Sequence, residues 1–300
     1  IVITSHEGLA ASGIKDCWVH YHPGMPAAKR NAGVRLAKAD YVAFFDDDVE
    51  IEPECLQHLL YAIQEPQTGM VYGKLMKADE PTRFDEAGGY LTFTGLIWSR
   101  AQQNLVDTGQ YDSHAPIFAG KSASCIIKKK VFNQVGGFDE DFEILGEESD
   151  LSWRIWLYGY KVMFNPYARG IHYFNTRFKP AAKYYTDERV YKNGARNYLT
   201  MLFKNLGGRN LWKIFTLNIV IWFIVTLAML IALKPKKSIN IMRGVLEFMV
   251  GITRNIKKRR FIQERRKVSD KELFKSIYHS APVSYYIQRF CRYIASSIHG

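Results

Sequence analysis

Three hundred residues, 47% hydrophobic and 23% charged, are enough to bury a large core and exclude a disordered chain. The formal charge of +12 is uneven, because residues 254–267, RNIKKRRFIQERRK, hold eight Lys or Arg against one Glu. The four scattered cysteines (Cys17, Cys55, Cys125, Cys291) exclude a dense disulfide framework and C-x-x-C metal pairs, and read as reduced thiols of a cytosolic chain.

The chain opens on strand-like IVIT (1–4), with no leader-type segment in front of it. PAAKRNAGVRLAKA (26–39) reads as a helix with Pro26 near its start, and YVAFF (41–45) as a strand. PECLQHLLYAIQ (53–64) is a second helix, with Pro53 at an N1-like position, and MVYGKLM (70–76) a further strand. This β-α-β-α-β order predicts a parallel sheet with helices on its faces, where ligands bind outside the carboxyl ends of the strands. Asp46, Asp47 and Asp48 fall at such an end. Two readings stand for them: solvated or helix-capping carboxylates, or a set that holds a cation.

From 89 to 127 the pattern turns to short β-type pieces, GYLTFTGLIW and IFAGKSASCII, separated by glycine turns. After the break VGGFDEDFEILG comes a helix, EESDLSWRIWLYGY (147–160), whose Glu147, Glu148 and Asp150 stand at its start. Carboxylates there are favoured by the helix dipole whether or not they do chemistry. KVMFNP and GIHYF read as two more short strands, and a helical stretch from about 180 to 206 follows.

Residues 214–233, IFTLNIVIWFIVTLAMLIAL, form a twenty-residue run without a formal charge. At roughly 1.5 Å rise per residue such a run reaches across a bilayer core, and a buried core helix is the competing reading. INIMRGVLEFMVGIT (239–253), with Arg243 and Glu247, reads as an amphipathic helix at a membrane interface. A single crossing would put the basic run on the opposite side from residues 1–200, against the preference of Lys and Arg for the cytoplasmic side. An in-plane or hairpin arrangement of 211–253 is therefore expected, with the basic run facing anionic lipids. The division expected is a catalytic-type domain over 1–205 and a membrane-associated region over 206–300. No nucleic-acid partner is expected, because the basic run adjoins apolar helices rather than interleaved aromatics.

Three motifs stand in order: RNAGVRLAKADYVAFFDDD, GGFDEDFEILGEESDLSWR and PYARGIHYF. Together they resemble the family 2 inverting glycosyltransferases of GT-A fold, particularly the rhamnosyltransferase-like members, over roughly residues 1–200. The tail RRFIQERRKVSDKEL resembles that group's C-terminal basic motif more loosely. The resemblance implies a Rossmann-like α/β fold with a mixed sheet, a nucleotide-diphosphate sugar as donor and a glycan or lipid-linked acceptor. It also implies a divalent cation, Mg²⁺ or Mn²⁺, at the cytoplasmic side of the cell membrane. Asp48 would be the direct metal ligand, with Asp46 on the ribose or a metal-bound water, Asp47 in support, and His172 completing the metal site. A hard, oxygen-rich ligand set suits these ions, which neutralise charge on departing phosphates.

Arg30 and Asn31 match residues near the nucleotide, against a plain reading as an exposed Arg and a helix-face Asn. Family members carry Glu-Asp-x-Asp where this chain has Glu147, Glu148, Ser149, Asp150. The general base is thus expected at Glu148, longer than Asp by one C–C bond of ~1.5 Å, with Asp150 as the alternative. About thirty residues that the resemblance places before IVIT are absent, so the chain reads as an N-terminally truncated copy. Glu7 is the candidate replacement for a nucleotide-binding Asp. A catalytically impaired, membrane-tethered scaffold and a sugar nucleotidyltransferase are the competing readings.

Overall fold

The computed structural model describes residues 1–5, 17–101, 105–173 and 186–295. Glu7 lies outside them. Strands β1 (Val2–Thr4) and β2 (Val19–Tyr21) pair in parallel as a small separate sheet, and helix α1 (Pro26–Leu36) packs on β1. The central sheet runs β3 (Tyr41–Phe45), β10 (Ser124–Lys128), β5 (Thr68–Lys77), β11 (Lys161–His172), β4 (Val49–Ile51). Helix α2 (Cys55–Ile63) covers one face. It starts two residues after Pro53, which therefore precedes the helix rather than opening it.

The sheet is mixed, not parallel. Strand β10 runs antiparallel between β3 and β5, whereas β11 lies parallel to β5. A β-α-β pattern in sequence orders the elements but leaves open which later strand inserts between two earlier ones. The two short strands expected at KVMFNP and GIHYF are instead one, β11, which ends at His172 and is broken by a register shift between Asn165 and Arg169. At that shift the backbones crowd: a Cβ on Gly73 would sit 2.4 Å from Ala168 O and 2.9 Å from Ser124 Oγ, so only glycine fits.

Every residue of β5 except Lys77 is buried. Helix α4 (Glu147–Leu157) adds Leu151, Trp153, Ile155 and Leu157 to the same core, and Trp153 meets Phe118 edge-to-face at 5.3 Å. Each such side chain contributes roughly 1.5–3 kcal/mol of burial. Three small strands flank the crevice: β6 (Phe84–Glu86) on β5, and the hairpin of β7 (Gly89–Leu91) with β8 (Ile97–Ser99). Strand β9 (Ala115–Pro116) edges β11, and helix α3 (Lys129–Val135) follows β10.

The C-terminal region packs against this domain through α5 (Asp187–Asn205). Helix α6 (Gly208–Ile231), with one π-helical turn at Leu211–Phe215, is long and apolar enough to cross a membrane, by length and composition. It pairs with α7 (Pro235–Val250), which itself lies along α5. Helix α8 (Ile252–Arg265) then returns to the domain, followed by α9 (Asp270–Ile277) and α10 (Val283–Ala295).

The basic run is not one outward-facing patch. Arg259 donates to Phe203 O and Leu206 O (2.5 and 2.6 Å), and Gln263 to Lys204 O and Asn205 O, filling the carbonyls left open where α5 ends. Lys258 pairs with Asp139 and Asp141, Arg254 with Asp141 at 2.8 Å, and Arg266 with Asp270. Half of the eight basic residues are thus spent internally, because the domain presents carboxylates and helix-end carbonyls to them. Lys257, Arg265 and Lys267 are exposed.

Candidate active site

The three aspartates form the tight turn between β3 and β4, closed by Val49 N–H donating to Asp46 O at 3.2 Å. Their mutual repulsion is relieved in two directions. Asp46 Oδ1 accepts from Arg30 Nη2 at 2.7 Å, and Asp48 Oδ1 lies 3.3 Å from His172 Nε2. Asp47 is exposed at the tip.

Arg30, on α1, is the first bridge across the crevice. Its Nη1 lies 3.5 Å from Glu147 Oε1 on the opposite wall, so one guanidinium joins the aspartate turn to the start of α4. Burial works against its charge, but Asp46, Glu147 and Glu148 outweigh it and hold Arg30 firmly protonated. Asn31 does not share this role. Its Nδ2 donates to Phe138 O (2.9 Å) and Glu140 Oε1 (2.8 Å), and its Oδ1 accepts from Phe138 N–H. Consecutive helix residues point about 100° apart, and Asn31 holds the 138–140 segment rather than a substrate.

The turn into α4 is made by two residues with left-handed backbone, Leu145 (φ 71°) and Gly146 (φ 90°). A leucine there is held against a cost of roughly 1–2 kcal/mol. Asn197 of α5 pins it by donating to Ile144 O (2.8 Å) and Leu145 O (2.9 Å). Glu147 is buried beyond this turn; burial pushes its carboxyl up to about 8, with Glu148 adding to the effect and Arg30 opposing it. Glu148 is half-buried, and its Oε1 accepts from Ser122 Oγ at 3.4 Å.

Asp150 drops out of the choice of base. It is fully buried, with Arg154 Nη2 at 2.8 Å, Lys204 Nζ at 3.0 Å and Asn205 Nδ2 at 2.8 Å, beneath the helix rather than on the crevice. Two residues beyond Glu148, it lies about 200° round the helix from it and so turns toward the core.

A second bridge joins the two walls. Next to Ser122, Lys121 Nζ donates to both oxygens of Asp85 at 2.7 Å, and Asp85 Oδ2 stands 2.7 Å from His172 Nδ1. Burial lowers the His172 value, but hydrogen bonds to Asp48 and Asp85 raise it to about 9. Burial raises Asp85, and His172 and Lys121 pull it back down to about 2. The His172 bond likewise holds Asp48 below the usual carboxylate range. Asp85, Lys121, Ser122 and Asn197 were missed by sequence reasoning, since an isolated Asp in RFDEAGG or a Lys in FAGKS carries no pattern of its own.

The Asp48–His172 pair suits a divalent cation. Two cis ligands at ~2.1 Å from an octahedral ion stand about 3.0 Å apart, close to the 3.3 Å seen. Among the described residues no third His, Cys, Asp or Glu joins them, so phosphate and water would complete the shell.

Residues 15–205 match the family described as Glycosyltransferase like family 2. The pre-mycofactocin glycosyltransferase of Mycobacterium tuberculosis is 28% identical over 167 residues, 53% of this chain and 32% of that protein. The O-antigen biosynthesis protein RfbC of Myxococcus xanthus is 28% identical over 158 residues, 51% of this chain and 12% of that protein. The chain thus spans a third or less of the length of these curated relatives. In overall fold it is similar to GalNAc-T7, solved with UDP, GalNAc and Mn²⁺ (TM-score 0.53, 15% identity, 90% of this chain and 46% of that one). It is also similar to Staphylococcus aureus TarS 1–349 with UDP-GlcNAc (TM-score 0.50, 15% identity, 90% and 75%).

Proposed function

The chain belongs to glycosyltransferase like family 2 and has the GT-A fold, and from that premise we propose that it moves a sugar, with inversion, from a nucleotide-diphosphate sugar to a hydroxyl of a glycan or lipid-linked acceptor. One observation carries the reading: two independent bridges, Arg30 and the Lys121–Ser122 pair, bring the aspartate turn and the Glu147–Glu148 wall to one crevice. Asp48 and His172 would hold a divalent ion, Mn²⁺ or Mg²⁺, which supplies Lewis-acid neutralisation of the departing diphosphate. GalNAc-T7, similar in fold, was solved with UDP, GalNAc and Mn²⁺, and TarS 1–349 with UDP-GlcNAc, which supports that assignment.

Glu148 takes the proton of the acceptor hydroxyl as its oxygen forms a bond to the anomeric carbon. On the opposite face the carbon–oxygen bond to phosphate breaks, and the diphosphate leaves with the electron pair. Arg30, fixed between Asp46 and Glu147, offers positive charge beside the diphosphate. Burial keeps Glu147 protonated near neutral pH, which leaves Glu148 as the carboxylate that faces the acceptor.

The same reading places the protein on the cytoplasmic face of the cell membrane. Its support is an apolar surface on α6, α7 and the turn between them, where Phe223, Ile231, Leu233, Met249 and Val250 are 59% to 87% exposed. Helix α7 lies along α5 and α8 returns to the domain, which favours insertion in one leaflet over a crossing.

The test is transfer and donor hydrolysis with UDP-GlcNAc, GDP-mannose and dTDP-rhamnose as probes, with Mn²⁺ or with EDTA, and the anomer of the product read by NMR. Metal-dependent turnover with inverted product, abolished in Asp48→Ala, is expected. Turnover insensitive to EDTA and to Asp48→Ala overturns the reading.

A further inference from the structure

We propose that Asp85 is a positioning residue: its carboxylate grips His172 through Nδ1 and so presents Nε2 toward Asp48 and the ion the two would share, while Lys121 holds Asp85 in place. The inference rests on the site assignment above and deepens it. Three observations carry it.

The first is where Asp85 stands. Strand β6 pairs with β5 through Leu75 with Glu86 and Met76 with Phe84, so the register slips by one residue at Asp85. A bulge of this kind re-aims the extra side chain. Here it sends the carboxylate across β5 to the end of β11, where His172 pairs with Lys77.

The second is the contact. Asp85 Oδ2 lies 2.7 Å from His172 Nδ1, and both groups are nearly buried, with side-chain exposures of 14% and 6%. An imidazole can ligate through Nε2 only if the other nitrogen keeps its hydrogen. An acceptor at Nδ1 fixes that tautomer, stops the ring from flipping and makes Nε2 a better electron-pair donor.

The third is Lys121. By donating to both Asp85 oxygens it leaves the carboxylate one orientation. It also balances a negative charge that would otherwise sit beside Asp48. The chain Lys121–Asp85–His172–Asp48 thus runs unbroken from the loop after β9 to the β3–β4 turn.

The experiment is Mn²⁺ binding, followed by loss of the free-ion EPR signal in the presence of UDP or of GDP, on the full chain and on Asp85→Ala, Asp85→Asn, Lys121→Met, His172→Ala and Asp48→Ala. Asp85→Ala is expected to weaken Mn²⁺ by about 10- to 100-fold, with thermal melting kept. Asp85→Asn keeps an acceptor for Nδ1–H and should lose only a few-fold, a rescue that a purely structural ion pair would not show. Lys121→Met should fall between them. Wild-type affinity in Asp85→Ala, with loss in His172→Ala, overturns the role of Asp85 and leaves the metal site standing. Unchanged affinity in His172→Ala and Asp48→Ala, or no binding by the wild type, overturns the site assignment and this inference together. If Asp85→Ala does not melt cooperatively, Asp85→Asn decides: a loss beyond tenfold in that folded variant refutes positioning through an Nδ1 acceptor.

Discussion

Exchanging Glu147 and Glu148 separately for Gln tests which carboxylate removes the acceptor proton. Glu147 is buried with its proton bound up to a pH of about 8. At pH 7 it is therefore mostly protonated. Gln has the same volume and replaces O–H by N–H, and Oε2 of Glu147 has no hydrogen-bond partner to lose. Glu147→Gln should thus keep kcat within about threefold at pH 7. Glu148→Gln deletes a general base, worth typically 10²- to 10⁴-fold, or about 2.7–5.4 kcal/mol in activation free energy. Donor KM should hardly move, because the diphosphate meets Arg30 and the Asp48–His172 side of the crevice.

The pH dependence adds a second readout. Above pH 8 the wild type places another negative charge beside Glu148 and Asp46, and Glu147→Gln does not. Glu147 binds its proton more tightly folded than unfolded (ordinary value 4.5), so its stabilising contribution is complete below about 4.5 and is lost as pH rises through about 8. The melting temperature of Glu147→Gln should accordingly fall less than that of the wild type between pH 5 and 9. Transfer rates and melting curves over that range are the assay. Loss of activity in Glu147→Gln as large as in Glu148→Gln, or less than a tenfold loss in the latter, refutes the assignment.

Lys204→Met strips the buried Asp139 and Asp150 of a shared cation, and urea unfolding should show a loss of about 3–5 kcal/mol. Acid acts on the same cluster. Lys204 and Lys258 outweigh burial and hold Asp139 well below the ordinary carboxylate range, so its contribution is present above about 3.8 and disappears as pH falls through the folded-state value. A steep acid transition by circular dichroism, shallower in Lys204→Met, is the expected result. Gly73→Ala forces a Cβ to within 2.4 Å of Ala168 O and should cost about 1–3 kcal/mol or more, seen as a lowered urea midpoint. Phe223→Glu together with Val250→Glu, on exposed apolar faces of α6 and α7, should abolish flotation with phosphatidylserine-containing vesicles, and unchanged flotation removes the membrane surface.

The residue types of the crevice were legible from sequence because local pattern and spacing carry them. An Asp triplet closing an apolar strand, Glu147–Glu148 opening a helix and His172 ending a strand are each visible within a dozen residues. The apolar helix was legible for the same reason, since its length and lack of charge are properties of one segment.

Partnership was not legible, because it is set by contacts between segments far apart in the chain. Asp150 is spent on Lys204, Asn31 on Phe138, and three of the run's eight basic residues on α5 and the 139–141 loop. Asp85 meets His172 across 87 residues through a one-residue bulge. The antiparallel place of β10 between β3 and β5 is likewise a pairing of segments far apart in the chain. Sequence by itself determined which chemistry-bearing groups exist and on what local elements they sit. Only the tertiary structure decided which carboxylates face the crevice and which are neutralised in the core, because burial and charge pairing are properties of distance in space.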